Sequence, residues 1–280
     1  MKKLIFIITV LVTTLTVGCV NRNNGWTKET IKASGNLVTK QLAAMEFESV
    51  RASRGVKVNL VTGGNLITIK ADDNVIDYVI VKTESNELTV TIDQDVQLSH
   101  ANVTVTIPTD GKLSRLKASS SAEITCEGTI TGALVELTAS SSGEIIAAVV
   151  ATACNINVSS SGNIKAGVKA TNCTLEASSS GDIVAAVIAD TCSATASSSG
   201  EIELSGSATT CKSRASSSGE ITAGGFVVSN HTASASSSGD ITLQCTQQLN
   251  SNASSGGSIS YSGDCKVSQH TSSGGSISRN

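Results

Sequence analysis

Carboxylates recur at a nearly fixed interval along the second half of the sequence and could together bind a cation. They occupy one position of a repeated motif, together with one amide: Glu123, Glu144, Asn163, Asp182, Glu201, Glu220 and Asp240. If the repeats stack like neighbouring strands, about 4.8 Å apart, these carboxylates repel one another, and a hard cation such as calcium would stabilise them. Alternatively they are solvated side chains that keep the molecule soluble, because one carboxylate per repeat supplies few of the about six to eight oxygens that calcium needs.

Four cysteines recur at a strict interval of 19 residues: Cys154, Cys173, Cys192 and Cys211. In stacked repeats they form one column, which valine and leucine fill in other repeats, so we predict buried free thiols that act as small hydrophobes. Disulfides between adjacent repeats are the alternative. A Cα separation of about 4.8 Å permits them, but parallel Cβ vectors make the bridge torsion hard to reach. No metal site is expected, because zinc ligands cluster around one point rather than along a line.

Serine is abundant, but the sequence predicts no catalytic residues and no cofactor. The only candidate bases are His100, His231 and His270, and none has an acidic partner at a recognisable spacing. The serines are expected to form hydroxyl ladders and to satisfy turn backbone groups. We therefore predict that the protein is not an enzyme.

The elements that position these residues are nine repeats of about 19 residues, each marked by a sequence such as Ser-Ser-Ser-Gly-Asp-Ile. The closing isoleucines are residues 124, 145, 164, 183, 202, 221, 241, 259 and 277. A fixed period of this length indicates a solenoid, in which each repeat is one rung and buries its apolar face on its neighbours. Alternation within the rung from Cys173 predicts two short strands, joined by the serine turn and by a second turn near Asp190. Residues 113–280 are therefore predicted to be a parallel β-solenoid.

Residues 45–112 show a different pattern and form a predicted β-rich head region. Short strands alternate apolar and polar residues, as in Val56, Val58 and Leu60. Residues 63–65 (Gly-Gly-Asn) predict a hairpin turn, and residues 72–75 predict a short helical turn. We expect the head to be continuous with the solenoid.

The N-terminus has the features of a secretory signal. Residues 1–18 combine two lysines, an apolar run and a small-residue cleavage site, and the run is too short to span a membrane. Cys19 follows directly and resembles the lipidated first residue of a bacterial lipoprotein, with Val20 favouring the outer membrane; ordinary secretion is the alternative. Residues 19–44 are predicted to be the lipid anchor and a polar tether.

A head of alternating strands followed by Ser-Ser-Ser-Gly-(Asp/Glu)-Ile rungs resembles the GIN-domain family, described as the head domain of auto-transporter adhesins and common in Bacteroidetes. The resemblance covers about Phe47 to Ile277, although the family more often has Ser-Gly-Ser-Gly where this chain has Ser-Ser-Ser-Gly. It implies a right-handed β-helix-like fold and a surface or envelope role, and it transfers no catalytic residues.

The expected function is that of a non-catalytic cell-envelope lipoprotein, which is an adhesin or binds a glycan or a host or matrix polymer. The alternative is a structural or self-associating spacer, which forms homo-oligomers through its C-terminal rung. Aromatic residues make up only 2% of the chain, which weakens a stacking platform for sugars. No basic patch with interleaved aromatics is present, so nucleic-acid binding has no support. Which membrane face the protein occupies is left open.

Overall fold

The structure is a computed structural model that describes residues 29–280. The predicted signal peptide, the lipidation site Cys19 and the first part of the tether lie outside the described residues. Within residues 29–280, no helix is long and apolar enough to cross a membrane.

The N-terminal region contains nine strands and one short 3-10 helix, Ile76–Tyr78. The strands are β1 (Glu29–Lys32), β2 (Leu37–Ala43), β3 (Ser49–Ser53), β4 (Lys57–Thr62), β5 (Leu66–Asp72), β6 (Val79–Glu84), β7 (Glu87–Ile92), β8 (Val96–Ser99) and β9 (Thr104–Thr109).

The repeats contain eleven further strands, in which most rungs are one long strand with a bend in its middle. They are β10 (Arg115–Ser119), β11 (Glu123–Ser140), β12 (Glu144–Val158), β13 (Asn163–Ala177), β14 (Asp182–Ala196), β15 (Glu201–Ala215), β16 (Glu220–Ala235), β17 (Asp240–Ala253), β18 (Ser258–Ser262), β19 (Lys266–Thr271) and β20 (Ser276–Arg279).

Consecutive rungs pair in parallel and in register, so equivalent repeat positions lie above one another. Ile164 of β13, for example, pairs with Ile145 of β12 on one side and Ile183 of β14 on the other. Except in the last turn of the chain, the inward isoleucines and the small inward residues before each serine turn are almost completely buried. The predicted all-β solenoid with rungs of about 19 residues is thereby confirmed.

Side-chain alternation within one rung separates a thin core from two outer faces. In β14, Ile183, Ala185 and Val187 are buried, whereas Val184 and Ile188 are exposed. At the bend, two consecutive residues, 190 and 191, are exposed, and the alternation then continues with the opposite parity. This bend is the second turn that the sequence predicts, although the strand runs through it without interruption.

The head region hydrogen-bonds directly to the solenoid. Strands β3 and β4 pair in parallel with β10 and β11, and their other edges pair in parallel with β7 and β9. The antiparallel strands β6 and β5 then pair with β7 and β9. The parallel ladder of the solenoid thus begins inside the segment predicted as a head.

Two local expectations in the head need correction. Gly63 and Gly64 have positive φ, as a turn requires, but β4 and β5 do not form a hairpin, because β9 lies between them and pairs with both. The tether, predicted to extend to residue 44, gives way to paired strands at Glu29. Strand β1 pairs with β8 and β2 with β5, because Val38 and Leu42 pack on the head core.

Candidate ligand-binding corner

The serine turn of each rung, here called the serine corner, is a tight turn with two left-handed residues. In the corner Ser197–Gly200, the φ angles of Ser198 and Ser199 are 50° and 59°. The Gly200 N–H donates to the Ser197 carbonyl at 2.9 Å, which closes a four-residue turn of the type I′ kind. Left-handed backbone costs an L-residue roughly 1–2 kcal/mol, and glycine or asparagine usually occupies such positions. Each serine corner therefore holds serine in an unfavourable conformation.

The glycine that ends the corner is required by close packing rather than by its φ angle. A Cβ atom on Gly200 would lie 2.5 Å from the carbonyl carbon and oxygen of Ala177 in the preceding rung. The equivalent glycines, from Gly143 to Gly275, approach their preceding rungs in the same way. The corner is therefore a place of close inter-rung packing that recurs from rung to rung.

Backbone hydrogen bonds connect successive corners. The N–H of the third serine donates to the carbonyl of the second serine in the following rung, as from Ser180 to Ser198 at 3.2 Å. Serine hydroxyls were expected to form this ladder, but within residues 29–280 the hydroxyls of the second and third corner serines have no hydrogen bond to another protein group. The backbone thus holds the corners together, and the hydroxyls are free to bind other molecules.

Two rows of exposed hydroxyls result. Within each row, successive serines are one rung apart, about 4.8 Å along the solenoid. All of these serines are exposed and have positive φ. The second-position row is Ser120, Ser141, Ser160, Ser179, Ser198, Ser217, Ser237, Ser255 and Ser273, and the third-position row is Ser121, Ser142, Ser161, Ser180, Ser199, Ser218 and Ser238. The sequence predicted the turn but not its two left-handed residues. The available signal was glycine at the third corner position in two rungs, Gly256 and Gly274.

The predicted acidic column runs beside these rows, and the structure brings its seven members together in register. Two of its glutamates are paired with lysine: Glu123 Oε2 lies 3.2 Å from Lys57 Nζ, and Glu144 Oε1 lies 3.3 Å from Lys165 Nζ. No lysine or arginine of the described residues forms an ion pair with Asp182, Glu201, Glu220 or Asp240. These four carboxylates on adjacent rungs form the acidic edge of the serine corner.

In the described part of the chain, no three histidine, cysteine or carboxylate side chains converge as a metal site. The cation-binding interpretation of the acidic column therefore stays a prediction. So does the alternative that the carboxylates are only solvated.

The four repeated cysteines lie in one buried column, directly behind the bend, and are free thiols. The pKa values of Cys154 and Cys192 lie well above the usual thiol range, first because of the neighbouring Cys173 thiol and then because burial disfavours the thiolate. The same neighbours lower the pKa of Cys173. Since the column is buried inside the solenoid, these thiols cannot reach a substrate.

Histidine and serine meet at two places, and neither is a catalytic triad. His231 continues the cysteine column, and its Nε2 lies 2.8 Å from the Ser213 hydroxyl, but both residues are buried and the His231 Nδ1 has no partner among the described residues. His100 Nδ1 lies 2.8 Å from the hydroxyl of the adjacent Ser99. Within residues 29–280, no carboxylate hydrogen-bonds to either histidine, so neither serine has the oriented base that a nucleophile needs.

Comparison with solved structures finds the same fold in other bacterial proteins. A putative adhesin from Parabacteroides merdae is 22% identical, with a TM-score of 0.67, and the match covers 90% of this chain and 99% of that one. A protein named a putative lipid binding protein, from Parabacteroides distasonis, is 21% identical, with a TM-score of 0.67 and coverage of 90% and 100%. These identities establish the shared fold alone. No curated protein matches the chain.

The family comparison is more specific. The model described as "putative auto-transporter adhesin, head GIN domain" matches residues 46–183 and again residues 166–265. The two matches together include most of the head region and the solenoid up to β18. The chain therefore belongs to the GIN-domain family.

Proposed function

We propose that this protein is a non-catalytic adhesin of the cell envelope that binds an extended polymer, such as a glycan, along the serine corners. The observation that carries the proposal is the regular pair of exposed hydroxyl rows, whose serines share the same left-handed backbone conformation from rung to rung. The family's description as an adhesin head domain supports the same role. Lipidation at Cys19 and attachment to the outer membrane belong to this proposal.

Regular spacing suits a polymeric ligand better than a small one. Each hydroxyl contributes little, because a hydrogen bond that replaces one to water stabilises a complex by only about 0.5–1.5 kcal/mol. A polymer that contacts several rungs at once adds these small terms without paying again for association. Nine rungs at about 4.8 Å make a contact line roughly 43 Å long. We therefore expect the affinity to rise with polymer length until the polymer spans the solenoid.

The test is binding to length-graded oligosaccharides of several backbones and charges, measured by biolayer interferometry. The double variant Ser198→Gly/Ser217→Gly removes two corner hydroxyls where glycine suits the backbone. Its control, Thr191→Ala/Thr210→Ala, removes two hydroxyls at the bend of β14 and β15. We expect the corner variant to bind at least fivefold more weakly and the control to bind as the original protein does. Equal binding by both variants would show that the polymer does not use the corners.

Location is tested by protease treatment of intact cells, with and without permeabilisation of the outer membrane, and with a Cys19→Ala variant. Cleavage on intact cells supports the adhesin role, and release of the variant from the membrane supports lipidation. Protection until permeabilisation overturns the adhesin role in favour of a periplasmic structural role.

Self-association is a second proposal, which the edges of the C-terminal rung favour. Among the described strands, β19 pairs only with β17 and β20 only with β18, so one edge of each has no partner strand. Unpaired edges are sites for strand addition. Light scattering over a range of concentrations tests the proposal. A molecular mass that stays monomeric up to millimolar concentration would overturn it.

A further inference from the structure

The outward face of three neighbouring rungs carries an exposed apolar surface that the fold does not need. Ile146, Val150, Val184 and Ile188 point to solvent from β12 and β14 and are 36%, 45%, 41% and 58% exposed. They surround the outward residues of β13, Lys165 and Lys169, with which they pair in register. We call this surface the apolar face; its outward residues are Ile146, Ala148, Val150, Lys165, Gly167, Lys169, Val184, Ala186 and Ile188.

The same columns are mostly polar in the following rungs, which shows that strand formation does not demand aliphatic residues there. Below Val184 and Ile188 lie Glu203 and Ser207 of β15. Thr222 and Thr242 continue the first of these columns in β16 and β17. Val227 of β16, which is 40% exposed, lies below Ser207 in the second column. Exposed aliphatic side chains cost solubility, and among the described strands only β12 and β14 each carry two large ones, which marks an interaction surface on the two sides of β13.

The centre of the apolar face is a shallow trough with Gly167 as its floor. Its neighbours in the same column are Ala148 and Ala186, whereas the columns on both sides have long side chains. A Cβ atom on Gly167 would meet nothing within 4 Å, and its φ is not in the left-handed region, so neither packing nor conformation requires glycine. Glycine weakens a strand interior and often marks a place where a ligand approaches the backbone. The trough is thus open, since no side chain of residues 29–280 lies within 4 Å of a Cβ placed on Gly167.

Charge decides which occupant fits. Lys165 and Lys169 are the only cationic residues in rungs β12 to β14 and flank the floor of the trough on its two sides. Lys165 has only its exposed pair with Glu144, and no carboxylate of the described residues forms an ion pair with Lys169. Two copies packed about a two-fold axis at Gly167 would bring lysine against lysine, which disfavours a dimer through this face. A ligand with an acidic group over Gly167 and hydrocarbon on the aliphatic residues above and below matches both the two lysines and the exposed apolar side chains.

We infer that the apolar face binds one molecule of an anionic amphiphile, with its acidic group between Lys165 and Lys169 and its alkyl chain along the trough. A hollow of about 320 Å³ around Val150, Lys169 and Ile188 continues the apolar face onto the bend. Asp190 lines the far side of this hollow and directs the acidic group towards the trough. This site is separate from the serine corners and does not depend on the polymer proposed to bind there.

The test uses dodecyl phosphate, dodecanol and dodecyltrimethylammonium below their aggregation concentrations, measured by isothermal titration calorimetry. We expect one dodecyl phosphate per chain, at least tenfold tighter binding than for the cationic probe, and weaker binding at high salt. Gly167→Leu fills the trough and is expected to weaken dodecyl phosphate binding at least tenfold. Lys165→Gln/Lys169→Gln is expected to remove the preference for phosphate but to keep the binding of dodecanol.

Matched controls lie elsewhere on the solenoid. Gly224→Leu adds the same side chain to an exposed glycine of β16, and Lys212→Gln/Arg214→Gln removes two cations from the other outer face; both are expected to bind as the original protein does. Equal binding of the anionic and cationic probes, or no effect of Gly167→Leu in a variant that keeps its circular dichroism spectrum, would overturn the proposal. Binding to anionic vesicles without binding of monomeric probe would replace it with a membrane-docking surface.

Discussion

The serine corner and the bend both turn the chain once in every rung, but they constrain the sequence very differently. At the corner, left-handed residues, a closing hydrogen bond and a glycine against the preceding rung recur with little change from Ser140 to Gly275. At the bend, one residue per rung, such as Thr171 or Asp190, has no partner in the ladder. Among the described rungs, the pairing is also irregular only in the part of the rung that leads from the corner to the bend, or at the bend itself. One such shift in register lies between Ala223 and Val227.

The difference shows that the corner, rather than the bend, fixes the register between neighbouring rungs. Rungs of unequal length still place their corners and isoleucines in line, because the extra residues are accommodated before or at the bend. A turn fixed by close packing can align a ligand-binding row, whereas a turn that tolerates insertions cannot. This contrast favours the corner over the bend as the place for a periodic binding site.

An inserted residue is the most severe test of this contrast. One glycine inserted after Ser198 breaks the corner and shifts the following strand by one residue, which turns its apolar side chains towards solvent. We expect a loss of more than about 5 kcal/mol, comparable with the whole stability of a marginal domain. One glycine inserted after Asp190 is expected to cost less than about 1 kcal/mol, because the bend already contains an unpaired residue. Urea denaturation measures both losses, and equal losses would abolish the distinction between the two turns.

Adding a single methyl group tests the close packing of the corner. Gly200→Ala places a Cβ 2.5 Å from the Ala177 backbone, so the rungs must separate locally, and we expect a loss of about 3 kcal/mol. Gly167→Ala is the control, since its Cβ meets open space; it is expected to stabilise the protein by up to about 1 kcal/mol. Both values come from chemical denaturation. If Gly200→Ala were as stable as Gly167→Ala, the corner glycine would have no packing role.

The regular half of the molecule could be predicted from the sequence because its physical signals are periodic. The isoleucine spacing predicted the rungs, and the alternation around Cys173 predicted the buried and exposed faces in β13 and β14. The cysteine column followed from the same arithmetic. In the head, alternation again predicted strands, but not their partners. The separation of β4 and β5 by β9 depends on long-range pairing, which local turn chemistry at Gly63 cannot reveal.

The candidate sites were predicted less well than the fold. The acidic column was found because its members repeat, whereas the exposed hydroxyls required backbone angles that serine does not usually adopt. The apolar face was missed because Val184 and Ile188 look like ordinary strand residues in the sequence. Alternation already implied that Val184 points outwards, but only the structure shows that Val184 and Ile188 lie together with Ile146 and Val150 around an open glycine.

A smaller loss of stability is expected from a buried hydrogen bond in the core behind the bend. His231→Leu matches the residue below it, Leu249. Within residues 29–280, however, the His231 ring is the only hydrogen-bond partner of the buried Ser213 hydroxyl apart from the Cys211 sulfur at 3.6 Å, and the variant removes it. We expect a loss of about 1–3 kcal/mol, the usual cost of an unsatisfied buried polar group. The double variant His231→Leu/Ser213→Ala removes both partners and should recover most of this loss. A double-mutant cycle by urea denaturation measures the coupling, and additive losses would show that the pair does not interact.

Replacing a corner serine by glycine is expected to have the smallest effect on the free energy of unfolding. Its sign should differ from that of the same replacement at the bend. Ser198→Gly relieves about 1 kcal/mol of left-handed strain but loses about 0.5–1 kcal/mol through the greater freedom of the unfolded chain. The net change should lie between zero and a slight stabilisation; at the next position of the turn, Gly256 and Gly274 already stand where other corners have a left-handed serine. Thr191→Gly at the bend has no strain to relieve and should destabilise by about 1 kcal/mol. Destabilisation of both variants by the same amount would mean that serine is not strained at the corner, and the fixed hydroxyl rows would lose their physical basis.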